Sequence, residues 1–285
     1  MKMKQLTAGM IALVMSMSLP MTTYAADWYL EDGSITVDAG DSGQTVTQGS
    51  KPAVPDEAPV ITQRDSSAET GNTITINASE ENATANVTIS NVNINTSGAA
   101  VSTGGKGNVN IELDGTNTLK SGDWHAGLEK NNDGNLTITD KNENGKLSAT
   151  GGYEGAGIGG GVYAGGNDII ITGGQVTAAG GDYGAGIGGG YLGDSNNITI
   201  TGGEVTAIGG TNGAGIGGGL RKNGEKITVS GDAMLKVQGG QTDAWDGAGA
   251  GIGNGGSLNE DLFIPVNGAE TEPDTSNLTT GKIEY

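Results

Sequence analysis

The chain writes GAGIGGG three times, at 155–161, 184–190 and 213–219, and the copies fall 29 residues apart. A fixed period of this length constrains the fold more tightly than any local propensity. Each repeat is one supersecondary unit too small to bury its own apolar face, so successive units must stack on one another as a solenoid. Weaker copies centred on Ala126 and Ala250 extend the array in both directions. Each copy contains G-x-G-x-x-G, as at Gly155, Gly157 and Gly160. A nucleotide-binding loop of that pattern serves one site, and recurrence at a constant interval argues against such a use.

Within each unit the order of events is kept. IIITGGQVTA from Ile169, ITITGGEVTA from Ile198 and ITVSGDAMLKV from Ile227 each read as two short alternating strands separated by a glycine turn. LTIT at Leu136 with KLSA at Lys146, VNIEL at Val109 with AAV at Ala99, and VTISNVNI from Val87 fit the same template, for about six to seven units. Three strand slots per unit, with alternate apolar residues turned inward, predict an all-β, parallel β-helix whose coils have three faces. Face one buries Ile169 and Ile171, Ile198 and Ile200, Ile227 and Val229. Face two buries Val176 and Ala178, Val205 and Ala207, Leu235 and Val237. Face three buries Ala156 and Ile158 with their repeats. Coils stacked at about 4.8 Å give a rod about 30 Å long.

The same alternation on face three turns Gly127, Gly157, Gly186, Gly215 and Gly251 outward, as a column without side chains. Gly159-Gly160-Gly161 and Gly173-Gly174 instead supply the positive φ values of corners. Two uses of the column stand open: close approach by a neighbouring loop, or a glycine-floored groove that admits an extended ligand.

Ahead of the motif come Asp123-Trp124-His125, Tyr153-Glu154, Asp182-Tyr183 and Thr211-Asn212, with Asp243, Trp245 and Asp246 before the last copy. Behind it come Tyr163, Tyr191 and Arg221, then Asp168, Asp194 and Glu225. Aromatic residues make up 4% of the chain, so their gathering around one motif is selective. A ring beside carboxylate and amide groups suits a sugar, whose apolar face stacks while its hydroxyls are hydrogen-bonded; rings that cover the ends of the hydrophobic column are the alternative. Carbohydrate contacts are expected from Trp124, Tyr153, Glu154, Tyr163, Asp182, Tyr183, Tyr191 and Arg221. Carboxylates one coil apart repel unless a cation lies between them, which makes Asp123, Asp168, Asp182 and Asp194 the expected ligands of a calcium ion. Solvated acids that keep a glycine-rich rod soluble are the competing account.

His125 is the only histidine and the chain has no cysteine, which excludes a multi-histidine zinc site, a thiol nucleophile and disulfides. No GxSxG elbow accompanies the histidine. The chain therefore reads as non-enzymatic, with a calcium-assisted lyase using Arg221 or Lys222 as base kept as the lesser alternative. Thr137, Thr199 and Thr228 form an outward column of the kind that orders ice, but Ile170 interrupts it.

Lys2 and Lys4, an apolar run over 6–19 and Thr23-Tyr24-Ala25 read as a secretory signal peptide spanning 1–25, so the expected location is outside the cell or on its surface. Cleavage there removes two lysines and no acid, moving the net charge from −19 to about −21. That charge disfavours nucleic acid and anionic membranes as partners, and no membrane insertion is expected. Residues 26–48 read as a hairpin with its turn near Asp32-Gly33, capping the first coil. Residues 49–70, with their prolines, read as a linker, 71–268 as the β-helix and 269–285 as an acidic tail.

The run GNTITINASEENATANVTISNVNINTSGAAV, followed by LDGTNTLKSG and the repeated GAGIGGG and ITITGGEVTA, resembles secreted carbohydrate-binding domains of clostridia and related gut Firmicutes. The resemblance covers about Gly71 to Gly268. It implies a right-handed parallel β-helix similar to that of pectate lyases, association with calcium and acidic plant polysaccharides such as polygalacturonate, and no lyase activity. The matching positions are structural glycines and core aliphatics, so the resemblance transfers no ligand residue. The combined expectation is a secreted, non-catalytic protein that binds an extracellular polysaccharide, with a structural or adhesive surface rod as the rival.

Overall fold

Residues one period apart lie side by side. Ile169 pairs in parallel register with Ile198, and Ile198 with Ile227; Val176 pairs with Val205, and Ile158 with Ile187. These pairings come from a computed structural model that describes residues 26–285, so the leader read at 1–25 lies outside the described residues. Repeated along the chain, they build sheets of eight, seven and ten strands, which are faces one, two and three of a β-solenoid with about 7 turns. No described helix is long and apolar enough to cross a membrane.

The expected core is present. The isoleucines of face one, the valine-alanine pairs of face two, and Ala156 and Ile158 with their repeats are all buried. Each fully buried isoleucine contributes about 1.5–3 kcal/mol of transfer free energy, and β-branching suits these residues to the pleat. Gly174 at φ 90 and Gly203 at φ 86 turn the chain between faces one and two. Face three changes character along the rod. It is five residues long in Ile74–Ala78 and Val101–Gly105, then shrinks to the two residues of Ile158–Gly159, Ile187–Gly188 and Ile216–Gly217.

Both ends differ from the sequence expectation. At Asp32-Gly33 there is no hairpin turn: Asp27–Tyr29 belongs to face one, beside Val60–Thr62, and the 3-10 turn Leu30–Asp32 carries the chain across to Ile35–Gly40 on face three. The reason is Leu30, whose side chain is fully buried at the end of the core. The antiparallel hairpin lies later, between Ile35–Gly40 and Gly43–Gln48. Its glutamines finish the cap, since Gln44 Nε2 donates to the carbonyls of Asp56 and Asn86, and Gln48 Nε2 to that of Tyr29.

The supposed linker at 49–70 is part of the first coil. Val60–Thr62 pairs with both Asp27–Tyr29 and Thr84–Ser90, and burial of Ile61 holds it there. The supposed acidic tail also packs on the rod: Lys282–Glu284 adds a strand to face two beside Met234–Gln238, with Ile283 against the core. Both strands are only three residues long and each buries a single residue, Ile61 or partly Ile283, too little to announce them.

Candidate functional site

The glycine motif is a closed loop, and its glycine column is not a groove. In each unit the alanine amide donates to a carbonyl four residues on: Ala156 to Gly160 at 3.0 Å, Ala185 to Gly189 at 2.9 Å, Ala214 to Gly218 at 3.0 Å. The chain therefore doubles back around a face-three strand cut to two residues, Ile158–Gly159 and its repeats. Gly127, Gly157, Gly186 and Gly215 are buried, and their missing side chains point at backbone. A Cβ on Gly186 would stand 2.6 Å from the carbonyl oxygen of Gly215 and 2.6 Å from the amide nitrogen of Ile208. The expected outward orientation is thus corrected, and of the two uses left open it is close approach that is found: these glycines are pressed against backbone of the next coil, including its face-two strand.

Closing the loop brings its two flanks together. The residues ahead of one motif accept hydrogen bonds from those behind the next: Tyr191 N–H donates to the Glu154 carbonyl at 2.8 Å, and Leu220 N–H to that of Tyr183 at 2.9 Å. Val162 N–H likewise donates to the Trp124 carbonyl at 2.8 Å. Leading and trailing loops thereby form one corner running along the rod.

Backbone geometry at this corner is unusual in a periodic way. Trp124, Glu154, Tyr183 and Asn212 occupy equivalent leading positions with φ of 71, 68, 69 and 61. Tyr163, Leu192 and Arg221 occupy equivalent trailing positions with φ of 60, 54 and 59. Left-handed backbone costs an L-residue about 1–2 kcal/mol and costs glycine nothing. A chain with 55 glycines nevertheless places Trp, Glu, Tyr and Arg there.

Four tyrosines of the corner form a continuous run. Tyr163 and Tyr191, one coil apart, have ring centroids 5.6 Å apart; Tyr191 and Tyr183 are 5.6 Å apart; Tyr183 and Tyr153, again one coil apart, are 5.8 Å apart. Such contacts add about 0.5–1.5 kcal/mol each beyond burial. Tyr163 remains 70% exposed and Trp124, one coil further along the leading row, 57%. An open hollow of about 390 Å³ lies against the run, lined by Tyr153, Glu154, Tyr183, Tyr191, Arg221, Asp243, Trp245 and Asp246, with Leu220 at its floor.

Its electrostatics are lopsided. Arg221 is held by Asp246, Nε to Oδ1 at 2.7 Å and Nη2 to Oδ2 at 3.2 Å, and this hydrogen-bonded pairing raises the guanidinium pKa further. Asp243 accepts the backbone amides of Trp245 and Asp246. Burial raises the Glu154 carboxyl pKa. Burial also raises the Tyr183 and Tyr191 phenols, so both stay protonated as hydrogen-bond donors.

Of the expected carbohydrate contacts, the structure gathers Tyr153, Glu154, Tyr183, Tyr191 and Arg221 around the hollow, with Tyr163 extending the ring run. Trp124 stands beyond it along the corner, and Asp182 is turned to the Thr211 hydroxyl at 3.0 Å. Asp243, Trp245 and Asp246, read only as flanks of the last motif, belong to the site. The signal was the spacing from Ala214 to Ala250, seven residues longer than the regular period.

The four expected calcium ligands are dispersed. Asp194 pairs with Lys222 at 3.1 Å, Asp168 accepts from Asn197 Nδ2 at 2.6 Å, and Asp123 is exposed on the leading row. Among the described residues no three His, Asp or Glu side chains come together as a metal site. The unit at Ala126 departs in another way, carrying Leu128-Glu129-Lys130 where the others have Ile-Gly-Gly. Glu129 Oε2 accepts the Ala126 amide at 3.1 Å and lies 2.8 Å from His125 Nδ1, replacing the carbonyl that closes the other loops. Burial lowers the neighbouring Lys130 pKa. The larger hollow on face one, about 660 Å³, is lined by Asn86, Thr88, Asn110 and Thr137 and has no aromatic ring.

No family model, no curated protein and no solved structure matches this chain.

Proposed function

We propose that the chain is an exported, non-catalytic protein that binds an extracellular polysaccharide along its aromatic corner. The observation that carries this reading is the set of Trp, Glu, Tyr and Arg residues in left-handed backbone where glycine costs least. Side chains held in a costly backbone conformation, on an exposed corner and around a hollow, are fitted to a ligand more than to the fold. Successive rings lie 5.6–5.8 Å apart from coil to coil, close to the length of one pyranose unit in an extended chain. Tyrosine faces supply stacking, while Glu154, Asp243 and the phenol hydroxyls supply polar contacts.

Both bases named for a lyase are engaged, Arg221 by Asp246 and Lys222 by Asp194. Calcium is not needed for stacking, and the dispersed aspartates favour a metal-independent mode. Co-sedimentation with insoluble polysaccharides, with calcium and with chelator, tests the reading. Retention is expected in both conditions, and its loss in a folded Tyr153→Ala/Tyr183→Ala variant. Calcium-dependent retention that survives the tyrosine changes would place the ligand elsewhere.

A second reading, an adhesive rod, is favoured by the hairpin of Ser257–Asn259 and Ile264–Val266, whose Leu262, Phe263 and Ile264 are exposed, Phe263 by 75%. Light scattering that grows with protein concentration and is abolished by Phe263→Ser, together with no polysaccharide retention, would establish it.

A further inference from the structure

The hollow at the corner carries more negative than positive charge. Among the described residues its one lining cation, Arg221, is bidentate on Asp246, which leaves Glu154 and Asp243 without a counter-charge there. Around these carboxylates stand the rings of Tyr153, Tyr183, Tyr191 and Trp245. Aromatic faces attract cations through their quadrupoles and do so more strongly when partly desolvated. A uronate would be repelled by the same carboxylates. A divalent metal would find two carboxylates at most, Glu154 and Asp243, the latter with Oδ1 already accepting two backbone amides, and among the described residues no three acidic or histidine side chains converge there; rings ligate no calcium. An organic ammonium meets both features at once, carboxylate on one side and ring faces on the other.

We infer that the corner hollow selects an amine-bearing saccharide, a protonated amino-sugar unit within a polysaccharide chain, with Glu154 as its counter-ion and the rings of Tyr153, Tyr183 and Trp245 around the ammonium. This rests on the polysaccharide reading above and narrows it to a cationic ligand. The cost that burial places on the charged Glu154 carboxylate is offset when an ammonium pairs with it, so binding and ionisation support each other. Charge repulsion also acts at longer range, because the whole chain carries −19 and attracts a polycation while opposing a polyanion.

Calorimetric titration of the full-length mature protein at low salt and about pH 6, where a free amine is protonated, tests the inference with four probes: a glucosamine tetramer, its N-acetylated counterpart, a galacturonate tetramer with calcium, and a lysine-rich peptide. The amine tetramer is expected to bind about tenfold or more tightly than the acetylated one, and the uronate not at all. Glu154→Gln is expected to lower affinity for the amine form about tenfold while leaving the acetylated form unchanged, with an unaltered circular dichroism spectrum. Equal binding of the two forms, insensitive to Glu154→Gln, would overturn the charge selection and leave polysaccharide binding standing. Uronate as the tightest ligand would overturn it too, and so would capture of the peptide alone, which would point to a protein partner. Absence of binding to every probe would remove both the inference and the reading beneath it.

Discussion

Replacing Gly186 with alanine separates a packed glycine column from an open one. The new methyl would lie 2.6 Å from the Gly215 carbonyl oxygen, 2.6 Å from the Ile208 amide nitrogen and 2.9 Å from the Ile208 carbonyl oxygen. All three are backbone atoms of the adjoining coil, so no side chain can swing away. Reaching ordinary contact near 3.4 Å requires the strands to part by about 0.8 Å, which weakens the flanking ladder hydrogen bonds as well. Overpacking of this kind costs about 1–3 kcal/mol, and clashes confined to backbone put the expected value near 3. For a chain of this size that lowers the thermal midpoint by about 6–12 °C. Gly71→Ala is the control, because nothing lies within 4 Å of a Cβ there; its midpoint should shift by less than about 1 °C. Thermal unfolding followed by circular dichroism reads both variants. A Gly186→Ala midpoint indistinguishable from the control would refute the reasoning and restore the outward strip.

Other substitutions probe the corner and its supports. Glu129→Ala removes the acceptor that closes the Ala126 loop, and it is expected to cost about 2–3 kcal/mol in urea unfolding with faster hydrogen exchange at the Ala126 amide. At position 124, where φ is 71, glycine should be more stable than alanine by about 1 kcal/mol; the reverse order would remove the strain on which the site was recognised. Arg221→Ala leaves the buried Asp246 carboxylate unpaired, for an expected loss of about 2 kcal/mol once the half-exposed guanidinium is allowed for. Because folding raises the Glu154 pKa, the folded state binds its proton more readily, and stability should fall as pH rises from the ordinary glutamate value through the raised one. Urea midpoints across about pH 4 to 7 should show that slope in the wild type and lose its Glu154 share in Glu154→Gln.

The solenoid was legible because identical residues recur at one interval. Ile169, Ile198 and Ile227 announce both their strand and their partners, and period-two alternation states which side faces inward. The ends were less legible, since nothing repeats there. Ile61, beside Val60 in a proline-rich stretch, and Ile283, alone among polar residues, sit in three-residue segments that only the existing sheet edge makes into strands. The site was legible as a set of residues but not as a shape. Treating face three as a full-length strand separates Tyr153 from Tyr191, placing them on opposite sides of a supposed groove, whereas the strand there is two residues long and the chain closes around it. The alanine-to-glycine hydrogen bond that closes the loop, and so brings the two rings onto one corner, has no residue signature apart from glycine itself. Asp246 is legible only as a flank of the last motif, because its partner, Arg221, belongs to the preceding unit.

The most direct test of the corner as a single ligand surface is the affinity of a soluble oligosaccharide for proteins altered on each of its two loops. Tyr183→Ala changes the leading loop, Tyr191→Ala the trailing loop, and Ile208→Ala an exposed residue on face two. Loss of one stacking ring, about 1 kcal/mol or a little more, predicts binding about five- to tenfold weaker for each tyrosine variant and unchanged for Ile208→Ala. Unchanged affinity in both tyrosine variants, or an equal loss in Ile208→Ala, would contradict the account.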